Sequence, residues 1–115
     1  MAEFSATAEN AALGGIKTAA TWISLHTADP AGTGASEVSG GSYARVQTTW
    51  GTASGGSMSG SQVTINVPAS TTIEGWGVWS ASTSGTYYAG GLLPANETYA
   101  GAGTYLLTPT LTASG

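Results

Sequence analysis

The stretch Gln62–Ser80 reads QVTINVPASTTIEGWGVWS. In its first half Val63, Ile65 and Val67 alternate with Thr64 and Asn66, the two-residue period of a strand with one buried face. Pro68 has no N–H to give to a ladder and ends the run. The second half, Thr72–Ser80, is aromatic and apolar, with Gly75 and Gly77 inside it. Glycine weakens a strand unless a bulge or a close backbone approach requires it. One of these is therefore expected here.

The same signature recurs on both sides. Thr21–His26 (TWISLH) sets Trp22, Ser24 and His26 on one face and Ile23 and Leu25 on the other. Tyr43–Trp50 (YARVQTTW) alternates again, while Thr86–Leu93 (TYYAGGLL) and Thr104–Thr112 (TYLLTPTLT) read as further strands separated by an apolar-poor loop. Pro109 makes the last of them an edge strand or a strand that breaks. Gly51–Gly60 and Ser82–Gly85 read as Gly/Ser turns. About six strands at spacings of roughly 10–20 residues predict an all-β fold, a single-domain β-sandwich or open barrel.

Ahead of the strands a short helix is expected over about residues 5–14. Ser5 is placed to cap it and Glu9 lies in its early turns. Phe4, Ala8, Ala11 and Ala12 fall on one face, and Gly14-Gly15 is a natural stop. Residues 27–41 (TADPAGTGASEVSGG) form a long loop, with Asp29-Pro30 and several glycines as turn formers. Loops of this length bind something or pack on a neighbour.

Composition narrows the function. The chain has 115 residues, 18 of them glycine, and only 7% are charged, against roughly 25% in ordinary soluble domains. The formal net charge is −4 and the only cations are Lys17 and Arg45. A nucleic-acid partner needs clustered Lys and Arg, and so does a polybasic membrane contact; neither is expected. There is no cysteine, which removes a disulfide framework and a thiolate site. No segment reads as a membrane span. Met1-Ala2-Glu3-Phe4 lacks the basic start of a signal peptide, so synthesis and folding in a cytoplasm are expected.

Catalytic constellations are weak. Ser24, His26 and Asp29 hold the three residue types of a hydrolytic triad within one short stretch. Triad members normally arrive from separate elements with an oxyanion hole nearby, and no Gly-x-Ser-x-Gly elbow is present. The preferred reading is a strand-end histidine beside an Asp-Pro turn. One histidine without cysteine excludes the common zinc sites, and Asp29 and Glu37 lack the alternating pattern of a calcium loop. Glu74 and Glu97 do not stand out as a glycosidase pair. Gly32-Thr33-Gly34 lacks the Gly-Lys-Ser/Thr ending of a phosphate loop. No catalytic residue, metal or cofactor is expected.

Contact chemistry is richer. Arg45 follows Asp29 and Glu37 in sequence and is a candidate for a salt bridge tying the loop to the next strand. Four tryptophans and five tyrosines are the largest energetic resource. Trp76 and Trp79 face opposite sides of a regular strand, one toward the core and one as an interface anchor. Trp76, Trp79, Tyr43, Asp29, Pro30 and Glu37 are the candidate interface residues.

Ile23-Ser-Leu-His-Thr-Ala-Asp-Pro30, followed by Gly32-Thr-Gly-Ala-Ser-Glu-Val-Ser-Gly-Gly-Ser-Tyr-Ala-Arg45, resembles a family of small phage proteins of the tail-fibre, minor-tail or Gp80-like type, frequent in phages of actinobacteria. Val67–Thr72, Gly77–Ala81 and Gly101–Tyr105 fit the same pattern, and the resemblance covers roughly residues 8–110. It implies a non-enzymatic virion protein, assembled in the host cytoplasm and displayed on the particle as a tail component or a capsid decoration. Its implied partners are other virion proteins and further copies of itself. A carbohydrate-binding module facing a host surface glycan is the alternative.

Overall fold

The computed structural model describes residues 5–30 and 32–113. In chain order the elements are α1 (Ala6–Ala19), β1 (Trp22–His26), β2 (Val46–Gln47), β3 (Ser57–Ser59), β4 (Val63–Val67), β5 (Thr71–Trp79), β6 (Tyr87–Tyr99), β7 (Gly103–Leu107) and β8 (Thr110–Thr112). The fold is mostly β with one N-terminal helix, in open antiparallel sheets, as expected. A four-stranded sheet has the order β2-β1-β5-β6, and two-stranded sheets pair β3 with β8 and β4 with β7.

The β4–β7 and β5–β6 pairings form one ribbon. Val67 faces Gly103 at the end of one ladder and Thr71 faces Tyr99 at the start of the next, the same four-residue step on each strand. The Ser70 N–H donates to the Ala100 carbonyl at 3.3 Å across the bend between them. Farther along, two residue steps from Ile73 to Gly75 oppose five from Glu97 to Leu92. The surplus on β6 is the bulged segment around Leu93 and Pro94, and Leu93 turns inward to a buried position.

One apolar cluster joins the elements. Ile23 and Leu25 of β1, Val63, Ile65 and Val67 of β4, and Ile73, Trp76 and Val78 of β5 meet Met58, Leu111, Trp50 and Leu13. The alternation of Val63–Val67 is observed as expected. Trp50 is buried with its indole N–H donating to the Ala20 carbonyl at 2.8 Å, so its polar atom is satisfied.

Several expectations change. Ser5 does cap α1, accepting from the Ala8 N–H at 3.1 Å. The helix nevertheless runs through Gly14-Gly15 to Ala19. Each glycine costs about 1 kcal/mol in a helix, and the docking of Leu13 and Ile16 on the core outweighs that. The buried face is therefore Leu13 with Ile16; Ala8, Ala11 and Ala12 are exposed, and Phe4 lies outside the described residues. Of Tyr43–Trp50 only Val46–Gln47 forms a strand, because Tyr43 and Arg45 turn into the contacts described below. The Gly51–Gly60 region contains β3, anchored by buried Met58. The apolar-poor loop before residue 104 is largely the second half of β6. The final strand breaks at Thr108-Pro109 into β7 and β8.

Candidate functional site

β1 is buried on both faces. Its core face follows from Ile23 and Leu25. Its other face, Ser24 and His26, is covered by residues 34–38, which fold back over the sheet. The Thr27 N–H donates to the Ser36 carbonyl at 2.8 Å and the Val38 N–H to the Leu25 carbonyl at 2.9 Å. His26 and Glu37 form an antiparallel bridge between them.

Under that cover lies a chain of polar contacts. Trp79 Nε1–H donates to Ser24 Oγ at 2.8 Å, Ser24 Oγ lies 2.7 Å from His26 Nε2, and His26 Nδ1 lies 2.7 Å from the Ala35 carbonyl oxygen. A carbonyl only accepts, so Nδ1 carries a proton. In the neutral ring Nε2 then accepts from the serine hydroxyl, and each donor in the chain has an acceptor. Burial lowers the pKa of His26, outweighing the Ala35 carbonyl and the Glu37 charge that act to raise it. Ser24 and His26 are completely buried. The place an orienting carboxylate would take on His26 is held by a peptide carbonyl, and Asp29 stands on the exposed part of the loop. The geometry is that of a lock: Ser24 Oγ is buried and already accepts the Trp79 N–H, with no open approach to it.

A second group of contacts continues outward. Arg45 Nε donates to Glu37 Oε2 at 2.9 Å and its Nη2 to Oε1 at 2.8 Å, a bidentate pair. Arg45 Nη1 donates to the carbonyls of Ala81 at 2.9 Å and Ser84 at 2.8 Å, fixing the β5–β6 turn. The guanidinium lies 3.8 Å from the Trp79 ring centroid, a cation–π contact. The Tyr43 hydroxyl donates to Glu37 Oε2 at 2.7 Å and accepts from the Leu25 N–H at 3.1 Å. Burial and the adjacent carboxylate push the Tyr43 hydroxyl pKa far upward, so it remains a donor. Burial works to raise the Glu37 pKa, but the Arg45 and Tyr43 hydrogen bonds prevail and hold it below its ordinary value.

Glycine makes the approach of loop to sheet feasible. A Cβ on Gly77 would stand 2.8 Å from Ser24 Oγ and 3.0 Å from His26 Nε2, and one on Gly75 would stand 2.8 Å from Pro30 Cδ. Gly34, at φ +76°, passes against the Trp79 and Tyr87 rings with no room for a side chain. Tyr87 meets Trp79 edge-on with centroids 5.3 Å apart. The close approach expected at Gly75 and Gly77 is thus present, together with a bulge between Ile73 and Gly75.

Tyr43, Glu37, Arg45 and Trp79 therefore converge, and Pro30 is buried beside them against Gly75. Trp76 belongs to the core. Glu37, Tyr43 and Arg45 border an open cleft of about 330 Å³, with Ser39, Ser82, Thr83 and Ser84 supplying hydroxyls. Ser24 and His26 as a structural lock, Ala35 as its partner, and Tyr87 packed edge-on to Trp79 were not read from the sequence. The signal for them was the glycine pair in β5, which marked where another segment had to come close.

No curated protein matches the chain. The family described as Podophage GP4 fiber I protein gp80 matches residues 4–112. That description supports the phage-fibre part of the resemblance and lends no support to an actinobacterial host. With its strands, its folded-back loop and its clamp all inside the matched span, the chain belongs to this family of phage fibre proteins, structural rather than enzymatic in character.

Proposed function

We propose that the protein is a non-enzymatic component of a phage tail fibre, joined to other virion proteins through the surface formed by residues 27–30 and 32–45 and the turn at 81–84. The family match over residues 4–112 carries this reading. The clamp supports it in physical terms. A surface already held by bidentate, stacked and backbone contacts loses little conformational entropy when a partner docks. Mass spectrometry of purified particles tests the proposal: the chain is expected in the virion at low copy number. Absence from the particle overturns it, and hundreds of copies would move it to the capsid as a decoration protein.

The cleft favours one further reading, a glycan-binding role. Its rim offers Ser39, Ser82, Thr83 and Ser84 hydroxyls around the Tyr43 side chain. Stacking on tryptophan is not its basis, since Trp76 is buried and Trp79 is flanked by Arg45 and Tyr87. A glycan array with the wild-type protein and a Ser82→Trp variant tests this reading. Binding that the variant abolishes supports it, and a blank array ends it.

A further inference from the structure

β6 is an end strand of the four-stranded sheet: β5 pairs with one of its edges and no described strand pairs with the other. An open edge presents unpaired N–H and C=O groups as a template for another chain, and monomeric proteins blunt such edges with charge, proline, bulges or cover; on β6 the bulge opposite Trp79 and the one around Pro94 leave the stretch between them open. From Tyr87 to Asn96 this strand has no Asp, Glu, Lys, Arg or His. The chain carries a net charge of −4, and this uncharged segment meets a second copy without like-charge cost. It also shows two of the large apolar side chains most open to solvent, Tyr88 at 44% and Leu92 at 60%.

The spacing sets a register. Positions 88, 90 and 92 are exposed, while 89, 91 and 93 are more buried. The regular stretch runs from Tyr88, after the bulge where Tyr87 and Ala89 oppose the adjacent Trp79 and Val78, to Leu92, ahead of the bulge around Leu93 and Pro94. Gly90 is its centre, and Tyr88 and Leu92 flank Gly90 symmetrically. We infer that a second copy of this chain adds antiparallel to the free edge of β6 about a twofold axis at Gly90. Each Tyr88 then faces Leu92 of the other copy, an aromatic–aliphatic cross-strand pair formed twice by symmetry. Gly90 at the axis presents no side chain to its own counterpart. The contact is narrower than a standard interface of about 1,200–2,000 Å², so the pair is weak in dilute solution. The inference concerns the isolated chain and stands apart from the fibre reading.

Sedimentation velocity of the purified protein, from micromolar to near-millimolar concentration, is expected to show a monomer–dimer equilibrium. Leu92→Lys, at an exposed position, is expected to weaken it by roughly tenfold or more with an unchanged circular dichroism spectrum. The native chain has no cysteine, so crosslinks report the register directly. Under mild oxidation a mixture of Tyr88→Cys and Leu92→Cys variants is expected to give disulfide-linked dimers, and each variant alone far fewer. A monomer at every concentration overturns the inference. So does dimerisation indifferent to Leu92→Lys, or crosslinking as efficient in the single variants as in their mixture.

Discussion

Two parts of one sheet invert the usual distribution of side chains. Beside β1, Ser24 and His26 are wholly buried and Arg45 is nearly so, at 7% exposed. Along β6, Tyr88 and Leu92 stand in solvent. The first arrangement is stable only because each donor and acceptor has a partner, since a buried polar group left unpaired is costly. The second has no internal cause: nothing within the described chain requires those apolar groups to be outside. Internal bookkeeping of contacts accounts for the clamp, and a partner of the chain accounts for the edge.

The largest effect is expected from Arg45→Ala. It strands the half-buried Glu37 carboxylate and frees two turn carbonyls, and a loss of about 3 kcal/mol of stability is expected in urea denaturation. Gly77→Ala is next. Its new methyl group would press on Ser24 and His26, and overpacking of this kind costs about 1–3 kcal/mol, read as a lowered urea midpoint. Acid acts more gradually. The His26 pKa is depressed in the fold, so the unfolded chain takes up the proton first as pH falls below its ordinary 6.5. Stability present above that pH is lost as pH falls toward the folded-state value. The Glu37 pKa is also depressed, and its contribution is lost in a second step below 4.5. His26→Gln should remove the first decline in a pH series of thermal melts and leave the second. The smallest effect sharpens the contrast: Leu92→Lys should change stability by no more than about 0.5 kcal/mol, although it weakens self-association.

The parts of the fold that were legible in the sequence are those where burial and alternation coincide. Val63, Ile65 and Val67 face one core, and their pattern is a plain period of two. Pro109 breaks its strand for want of an N–H, and Gly75 and Gly77 sit where a loop crosses close by. The helix end was misread because local cost was weighed without the packing of Leu13 and Ile16. β3 escaped because a single inward Met58 between serines leaves no periodicity to detect. The far half of β6 escaped because an outer strand with mostly exposed positions needs no apolar pattern. At the clamp, the residue types were visible but their partners were not. Ser24 and His26 look the same in sequence whether they attack a substrate or hold a loop, and only their burial and the peptide carbonyl on Nδ1, where a triad has a carboxylate, distinguish the two.

The bent ribbon bears on how the chain folds. Its pairings are nested around the turn at residues 80–86, from Trp79 with Tyr87 out to Val63 with Leu107. Once the innermost pair forms, each successive pair closes only a small additional loop, so the entropic cost is met in small steps. Zipping from the turn through the bend to β4 and β7 is therefore the route of least loop-closure cost. The joining of β3 to β8, which brings Ser57 to Thr112, becomes inexpensive only after the ribbon has drawn those distant segments together. A chain whose sheets have high contact order thus contains a local route through most of its strand pairing.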